Sequence, residues 1–402
     1  MKNTFGNNIS LTIFGESHGA EIGAVLDGLA PGIRIDEDFI CHQLSLRRPS
    51  GKISTARVEK DEYRIVSGVF EGYTTGAPLC ILIPNTNTNS KDYSKTKDLP
   101  RPGHADFAAD CKYHGFEDYR GGGHFSGRIT AALVAACAVL VSALRDKGIL
   151  IGTHIACLGG INDAKFDQKC LAEDINRLSS ASFAILDESA GEQMRRAVEE
   201  ARNEGDSLGG ILETAVAGVP SGVGEPWFDS VESMLAHGLF SIPGIKGVEF
   251  GRGFEMTSMK GSEVNDPFRM EKGRVVTATN NNGGINGGIT NGMPIIFRCA
   301  VKPTPSIFKA QETVDMVKGE NAVLSIEGRH DPAIIHRAAA VVDALCGFPS
   351  VDYAAHTIVH HLNDYGGSRF ETGYASAIAV ILFVIMVGAN AVVKKIISKV
   401  GS

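Results

Sequence analysis

Histidines and arginines beside glycine-rich turns are the residues of this chain with the most evident chemistry. They occur in three segments: Gly15-Glu16-Ser17-His18-Gly19, Arg101-Pro102-Gly103-His104-Ala105-Asp106 and Arg120-Gly121-Gly122-Gly123-His124-Phe125-Ser126-Gly127-Arg128. A histidine changes charge near neutral pH. Arginine side chains and the free backbone N–H groups of glycine turns both bind phosphate or carboxylate. The three segments together predict a site that binds an anionic small molecule and moves protons.

A pair of arginines, Arg47 and Arg48, ends a predicted helix over residues 36–48. For one such pair alone, compensation of the helix dipole is a sufficient explanation. Because arginines recur beside glycine turns at Arg101 and Arg128, anion binding is the interpretation we favour for all four.

A second group of candidates lies in the C-terminal half. Residues 280–292 form the densest turn-forming stretch of the chain, and Lys302-Pro303-Thr304-Pro305-Ser306 follows one predicted strand later. A loop that presents backbone groups and a lysine suits a phosphorylated cofactor. The chain has neither G-x-G-x-x-G nor G-x-x-x-x-G-K-[ST], which argues against Rossmann and P-loop nucleotide sites.

The segment Gly328-Arg329-His330-Asp331-Pro332 precedes a predicted helix over residues 332–345. Asp331 before a proline is a good helix cap. Arg329 and His330 add a cation and a titratable group at the same place. His356, His360 and His361 have helical ligand spacing, but no further ligand accompanies them. We therefore predict no metal site.

The segment around Ser17 also matches G-x-S-x-G, the nucleophile elbow of serine hydrolases. An elbow needs a helix after the serine, whereas residues 22–26 are predicted to be a strand that runs into Gly28 and Pro31. A serine hydrolase that uses Ser17 stays as an alternative enzyme class.

The composition is that of a folded protein. The chain has 402 residues, of which 43% are hydrophobic and 21% charged, and its net charge is −7. A negative net charge argues against general attraction to nucleic acid and is compatible with a small anionic substrate. Eight cysteines without a C-x-x-C pair exclude zinc-ribbon and thioredoxin motifs and fit a reducing cytosol.

The predicted elements form an α+β protein with an internal duplication. Strands are predicted at residues 22–26, 79–83, 211–216, 248–250 and 295–301, and helices at 36–48, 105–114, 128–147, 188–204 and 332–345. Residues 15–19 recur as Gly205-Asp206-Ser207-Leu208-Gly209, and Gly72-x3-Gly76-Ala77-Pro78 recurs as Gly288-x3-Gly292-Met293-Pro294. We therefore predict two related halves, about 10–147 and 149–346.

The whole set of segments resembles the chorismate synthase family. The segments that carry the resemblance are residues 15–32 (GESHGAEIGAVLDGLAPG), 47–57, 70–78 (FEGYTTGAP), 101–106 (RPGHAD), 118–128, 205–210, 246–249, 282–292, 302–306 and 328–332 (GRHDP). They occur in the family's order over about residues 5–345, and a set this long is far more specific than any one motif.

The resemblance implies a β-α-β sandwich with a pseudo-two-fold duplication that assembles as a homotetramer. It implies a lyase that converts 5-enolpyruvylshikimate 3-phosphate to chorismate by anti-1,4-elimination of phosphate, in the shikimate pathway to aromatic amino acids. The reaction uses reduced FMN without net redox change, so a flavin reductant or NADPH is also implied. An inactive flavin-binding homologue is the non-enzyme alternative.

The resemblance also implies roles for single residues. It makes His18 the acid that protonates the departing phosphate, His104 the residue that manages the flavin proton, and Asp331 an acid near flavin N5. The substrate-binding arginines are Arg47, Arg48, Arg101 and Arg128. The flavin site comprises His124, Phe125, Ser126, Gly287, Lys302, Pro303, Thr304, Pro305, Ser306 and Arg329.

The chain departs from the family at two places. Many relatives have an arginine where this chain has His124. After about residue 344 the resemblance ends, and residues 347–402 are predicted to be an atypical extension with a charge-free segment at 375–393. That length is just enough to span a bilayer, but alanine, serine, glycine and asparagine dilute its hydropathy. A cytoplasmic protein whose extension packs against protein is the interpretation we favour over a C-terminal membrane anchor.

Overall fold

A computed structural model of the protein describes residues 2–6, 8–49, 53–54, 60–86, 97–326 and 331–352. The longer strands are β2 (Ser10–Gly15), β3 (Glu21–Asp27), β4 (Arg64–Ser67), β7 (Leu79–Pro84), β8 (Leu150–Leu158), β10 (Gly210–Ala217), β11 (Ile245–Phe250), β12 (Phe268–Glu271), β13 (Arg274–Thr277), β16 (Ile295–Val301), β17 (Gln311–Asp315) and β18 (Glu320–Leu324). The two-residue strands are β1 (Thr4–Phe5), β5 (Val69–Phe70), β6 (Tyr73–Thr74), β9 (Ile161–Asn162), β14 (Ile285–Asn286) and β15 (Ile289–Thr290). The helices are α1 (Glu37–Arg47), α2 (Asp106–Tyr113), α3 (Thr130–Asp146), α4 (Leu171–Leu178), α5 (Glu188–Asn203), α6 (Val231–Ser241), α7 (Gly261–Val264) and α8 (Ile335–Asp352).

Two antiparallel sheets enclose a layer of helices. The strand orders are β1-β2-β3-β7-β4 in the first sheet and β11-β16-β10-β8-β9 in the second. Helix α3 packs on β3 and β7, α8 packs on β8 and β10, and the two helices pack against each other and against α1. This arrangement confirms the predicted α+β class and its β-α-β sandwich.

Helix α3 lies at the centre of this layer. Residues 131–141 are all buried, as the near absence of charge before Arg145 predicted. In the part of the chain that the structure describes, one helix, Gly127–Asp146, has the length and hydropathy of a membrane span, and 72% of its apolar window is buried within the fold. Such burial is typical of the core helix of a soluble protein.

The two sheets repeat one topology. The order β2-β3-β7-β4 matches β8-β10-β16-β11, with the helices α1 and α3 of the first half in the chain positions of α6 and α8. Thr74 Oγ1 donates a hydrogen bond to the Ala30 carbonyl at 2.7 Å, and Thr290 Oγ1 donates to the Pro220 carbonyl at the same distance. These matched contacts support an internal duplication, and the bounds of its halves stay a prediction.

The predicted strands and four of the predicted helices agree with the structure to within a few residues. The predicted bounds of the last helix, 332–345, are wrong: α8 runs from Ile335 to Asp352, and Asp331 is ion-paired with Arg337 at 2.6 Å instead of capping at Pro332. Elements with no counterpart among the predicted ones are the longer strands β2, β4, β8, β12, β13, β17 and β18 and the helices α4, α6 and α7. Strand β8 contains the buried polar residue Thr153, which donates a hydrogen bond to Asp343 at 2.6 Å. That partner is distant in sequence, so the local pattern did not indicate a buried strand there.

A row of alternating charges crosses the second sheet. Glu249, Arg298, Glu213 and His154 are cross-strand neighbours on β11, β16, β10 and β8. The fully buried His154 places Nδ1 2.8 Å from Asp163 Oδ2 and Nε2 3.1 Å from Glu213 Oε2. Burial alone would lower the pKa of His154, but its bonds to the two carboxylates raise it above the ordinary value. At pH values below this raised pKa, His154 is a buried imidazolium between two carboxylates.

This cluster predicts a pH-dependent stability. A histidine whose pKa is raised by folding stabilises the fold fully below its unfolded pKa of about 6.5, and that stabilisation is lost as pH rises through the folded value. At pH 6 we expect His154→Gln to lower the free energy of unfolding by about 3 kcal/mol, because it leaves buried carboxylates without their cation. The difference from the unsubstituted protein should shrink as pH rises.

Chemical denaturation at several pH values measures this effect. His42→Gln is the matched control, because His42 is a partly buried histidine whose contact is with the backbone carbonyl of Ser179, at 2.9 Å. A difference between the two proteins that is constant with pH would contradict a charged His154.

Candidate active site

His18 lies in the turn between β2 and β3. Its Nδ1 is 3.0 Å from Ser17 Oγ, and Ser17 Oγ donates its own proton to the Arg120 carbonyl at 3.1 Å. Because that hydroxyl proton is already used, the hydrogen bond with His18 has Nδ1–H as the donor. The ring nitrogen of His18 that does not bond to Ser17 is Nε2.

A glycine turn, Arg120–Phe125, brings two histidines to neighbouring positions. Gly121 and Gly122 have φ angles of 60° and 85°, a region that favours glycine. A Cβ atom at Gly121 would overlap the imidazole of His18, and one at Gly122 would lie 3.0 Å from His104 Cε1. Consecutive glycines thus let the backbone pass close to both imidazoles.

His104 is held by a carboxylate. Its Nδ1 lies 2.6 Å from Asp106 Oδ1 and 3.1 Å from Arg101 Nη2. Since Arg101 can only donate, the shorter contact decides the tautomer: Nδ1–H donates to Asp106 and Nε2 remains for proton exchange. Arg101 also binds Asp106 through Nε and Nη2, each at 2.7 Å. Burial would raise the pKa of Asp106, but these bonds hold it well below its usual range, so the carboxylate stays charged.

Three arginines converge on one buried carboxylate, Asp61. Arg47 Nη1 donates to Asp61 Oδ2 at 2.9 Å, Arg48 Nε lies 3.6 Å from the same oxygen, and Arg128 Nη1 bonds to Oδ1. The side chain of Asp61 is 0% exposed, whereas those of Arg47, Arg128 and Arg48 are 2%, 10% and 32% exposed. Arg48 is therefore the most accessible guanidinium, and Arg47 lies behind it.

Asn85 connects this arginine cluster to the His18 turn. Its side-chain Nδ2 donates to the carbonyls of Glu16 and Gly19, both at 2.9 Å. Its Oδ1 accepts from Arg128 Nε at 3.1 Å. The cations and the histidine therefore belong to one site.

Asp331 joins the site from the second half. Its partner Arg337 also donates from Nε to the Arg47 carbonyl at 2.8 Å, which ties the start of α8 to the end of α1. The neighbouring His336 is buried 2.7 Å from Ser54 Oγ, and burial together with Arg337 lowers its pKa to about 4. His336 is therefore neutral near neutral pH.

The segment Lys302–Ser306 lies against the His104 segment. Lys302 Nζ donates to the Gly103 carbonyl, and a Cβ at Gly103 would lie 3.4 Å from Pro305 Cβ. Burial and the neighbouring Lys246 lower the pKa of Lys302. Ser207, in the segment that repeats 15–19, donates to the Thr304 carbonyl at 2.7 Å. The repeated motif thus carries His18 in one half and supports this loop in the other.

The other predicted flavin residues lie at different places. His124 Nδ1 is 2.8 Å from the Gly15 carbonyl oxygen, Phe125 is 37% exposed, and Ser126 Oγ accepts from the Arg128 N–H at 3.3 Å. Gly287 lies in the turn between β14 and β15, where no atom is within 4 Å of its Cβ position. Arg329 lies outside the described residues, as do the three histidines after residue 353 and the apolar segment 375–393.

Four residues of the site were not predicted as site residues from the sequence: Asp61, Asn85, Asp106 and Arg337. Asp106 was detectable, because it follows His104 by two positions within a motif. The others are polar residues without a local pattern. The roles predicted for the remaining site residues stay predictions.

The setting of Ser17 differs from a nucleophile elbow. The residue follows β2 but is followed by β3, not by a helix. It is 7% exposed, and its hydroxyl proton is donated to a backbone carbonyl. With these contacts, Ser17 is a hydrogen-bond partner that orients His18.

Comparisons with known proteins identify the family of this chain. The family model described as chorismate synthase matches residues 9–354. A chorismate synthase of Pyrococcus abyssi (strain GE5 / Orsay) is 46% identical over 87% of this chain and 96% of its own length. One of Methanosarcina mazei (strain ATCC BAA-159 / DSM 3647 / Goe1 / Go1 / JCM 11833 / OCM 88) is 45% identical over 87% of this chain and 95% of its own. A crystal structure of chorismate synthase superposes with a TM-score of 0.70 at 28% identity, covering 93% of this chain and 99% of that one. With the family model matching most of its length and relatives this similar, the chain belongs to the chorismate synthase family.

Proposed function

We propose that the chain catalyses the reaction of its family, the anti-1,4-elimination of phosphate from 5-enolpyruvylshikimate 3-phosphate to give chorismate. The observation that carries this proposal is that the imidazoles of His18 and His104 lie against two consecutive glycines, Gly121 and Gly122. Asn85 connects the His18 turn to the arginine cluster. A substrate with two carboxylates and a phosphate needs several cations, and its elimination needs a proton donor for the leaving group and a group that manages a second proton.

Each group has a part in this proposal. Arg48, Arg101 and Arg128 bind the anionic groups of the substrate, and Arg47, which is buried, supports Arg48 and Arg128 through Asp61. His18, with Nδ1–H held by Ser17, gives a proton from Nε2 to the departing phosphate. His104, with Nδ1–H held by Asp106, exchanges its proton at Nε2. Both histidines thereby face the reaction with a defined nitrogen.

We propose that reduced FMN binds along residues 302–306. The donor set fits the group: Lys302 is a cation, and Thr304 Oγ1 is a buried hydroxyl with no hydrogen-bond partner among the described residues. Phe125, Ser126, Gly287 and Arg329 complete the proposed contacts, with His124 anchoring the turn to Gly15. When bound, reduced FMN supplies electron density that weakens the allylic C–O bond.

Substrate and flavin are expected to bind cooperatively. Lys302 touches the segment that holds His104, so each anionic ligand orders groups that the other contacts. We expect reduced FMN to bind about tenfold or more tightly when the phosphorylated substrate is present. Anaerobic titration followed by flavin absorbance measures both affinities. Equal affinity with and without substrate would contradict a shared site.

The test of the function itself is phosphate release from 5-enolpyruvylshikimate 3-phosphate under anaerobic conditions. Release that requires reduced FMN supports the lyase. Flavin binding without release indicates the inactive homologue. Supplying oxidised FMN with NADPH in the same assay tells whether the chain reduces its own flavin or depends on a separate reductant.

We further propose a homotetramer. Several large apolar side chains are exposed on the second half: Trp227 (83%), Phe228 (90%), Phe254 (80%), Phe268 (69%) and Met270 (70%). Exposed apolar groups at this density are typical of surfaces that associate.

The hairpin β12–β13 allows a test of this association. Replacing Phe268 and Met270 by aspartate is expected to shift the molar mass in light scattering toward smaller species, because charge is excluded from buried interfaces. Val317→Asp, at an exposed apolar residue beyond β17, is the control. An unchanged mass for the Phe268/Met270 variant would remove this hairpin from the interface.

A cytoplasmic location is our proposal for the protein, in keeping with the free cysteines of the described residues. Fractionation of the full chain, with high-salt and carbonate washes, tests it against a C-terminal anchor. Retention in membranes that is lost when the chain ends at Asp364 would overturn the proposal.

A further inference from the structure

We infer that Asp61 is a positioning residue that sets the guanidiniums of Arg48 and Arg128 for the anionic substrate. The inference rests on the proposed function. Asp61 is the one residue in contact with all of Arg47, Arg48 and Arg128 among the described residues, and its carboxylate is 0% exposed. A buried carboxylate with three cationic neighbours has no solvent to share its charge, so its contacts determine where those cations lie.

The two carboxylate oxygens of Asp61 contact different arginines. Oδ2 accepts from Arg47 Nη1 at 2.9 Å and lies 3.6 Å from Arg48 Nε, while Oδ1 takes Arg128. Arg47 is in turn held by Thr130 Oγ1, 3.1 Å from its Nε. Arg47 therefore fixes Asp61 from the protein interior, and Asp61 fixes the two more accessible arginines. Without the carboxylate, three like charges would repel one another at close range.

The net charge of the cluster shows that Asp61 does more than neutralise its arginines. Three guanidiniums and one carboxylate leave a net charge of about +2, which still attracts a polyanion. A carboxylate that merely competed with the substrate would weaken binding. One that positions two arginines strengthens binding, because a substrate with several anionic groups needs both cations at fixed places.

The backbone at Asp61 makes a clean substitution available. Its φ is 49°, in the left-handed region that asparagine tolerates as well as aspartate. Asp61→Asn therefore removes the charge with little change in shape or backbone preference. Its amide N–H groups would face guanidinium N–H groups, so at least one arginine must move away.

Steady-state kinetics with 5-enolpyruvylshikimate 3-phosphate and reduced FMN tests the inference. We expect Asp61→Asn to raise KM for the substrate about tenfold or more and to change kcat less than about threefold, because the arginines bind ground state and transition state alike. The inhibition constant of inorganic phosphate should stay within about threefold or fall, since one small anion needs only one guanidinium and the site gains positive charge.

Other outcomes overturn the inference. An unchanged KM means that Asp61 does not position the arginines. A lower KM together with tighter phosphate binding means that Asp61 only competes with anions. Loss of kcat in proportion to the folded fraction, without a KM change, means a purely structural part. If the unsubstituted protein releases no phosphate, the proposed function fails. If it releases phosphate and Asp61→Asn leaves KM unchanged, only the Asp61 inference fails.

Two further variants keep the experiment decisive. Asp163→Asn is the matched control, because Asp163 is also 0% exposed and pairs with a cationic partner, His154, on the second sheet; it should lower stability without changing KM. If Asp61→Asn does not fold, Arg47→Lys removes the fork that holds Asp61 while keeping the charge. It should raise KM in the same direction, and an unchanged KM in that variant would contradict the inference.

Discussion

Replacing His18 with asparagine is expected to lower kcat by about 10²-fold or more, the range for loss of a general acid or base. The asparagine amide can keep the donor that Nδ1–H presents to Ser17, so the turn between β2 and β3 should remain. What the variant lacks is the Nε2 nitrogen that, in the proposed mechanism, gives a proton to the leaving phosphate. Single-turnover phosphate release under anaerobic conditions measures the effect.

His104→Asn should produce a loss of the same order, because the variant lacks the Nε2 nitrogen at which His104 is proposed to exchange a proton. Asp106 would keep its bonds to Arg101, so the segment stays in place. His42→Asn, at a histidine that contacts the Ser179 carbonyl, is the control and should retain full activity. Full activity in either active-site variant would exclude that histidine from the mechanism.

Gly121→Ala is expected to lower kcat/KM by about 10²-fold or more, since misplacing a reacting group by about 1 Å has an effect of that size. The new methyl group would overlap the imidazole of His18, and φ at this position is 60°. The backbone conformation also makes alanine destabilising by more than about 1 kcal/mol. Phosphate release and thermal unfolding measured on the same preparation separate the two effects.

Gly127→Ala is the matched control for this variant. Gly127 lies six positions further along the same segment, has no positive φ, and has no atom within 4 Å of its Cβ position. It should keep both activity and stability. Equal losses in the two variants would contradict the contact between Gly121 and His18.

The sequence by itself determined five strands, four helices and the resemblance to the family, and its repeated motifs indicated the duplication. The apolar stretches of β3, β7, β10 and β16 are bounded by glycine or proline, and α3 carries almost no charge, so local pattern was sufficient there. The motifs at residues 15–19 and 205–209 predicted two related halves, and the matched bonds of Thr74 and Thr290 agree with them. Secondary structure and burial depend mainly on residue types that are close together in the sequence, so they can be predicted from the sequence alone.

Only the tertiary structure decided which polar groups meet. Asp61 and Arg128 are 67 positions apart, and Arg47 and Arg337 are 290 apart. The spacing of residues along the sequence does not predict such pairs, because they depend on how α1, α3 and α8 pack between the sheets. For the same reason the local pattern before Pro332 favoured a helix cap at Asp331, beside the acid that the family resemblance implied, whereas in the fold Asp331 pairs with Arg337. A residue type states what a side chain can bind, and packing selects the partner from among distant candidates.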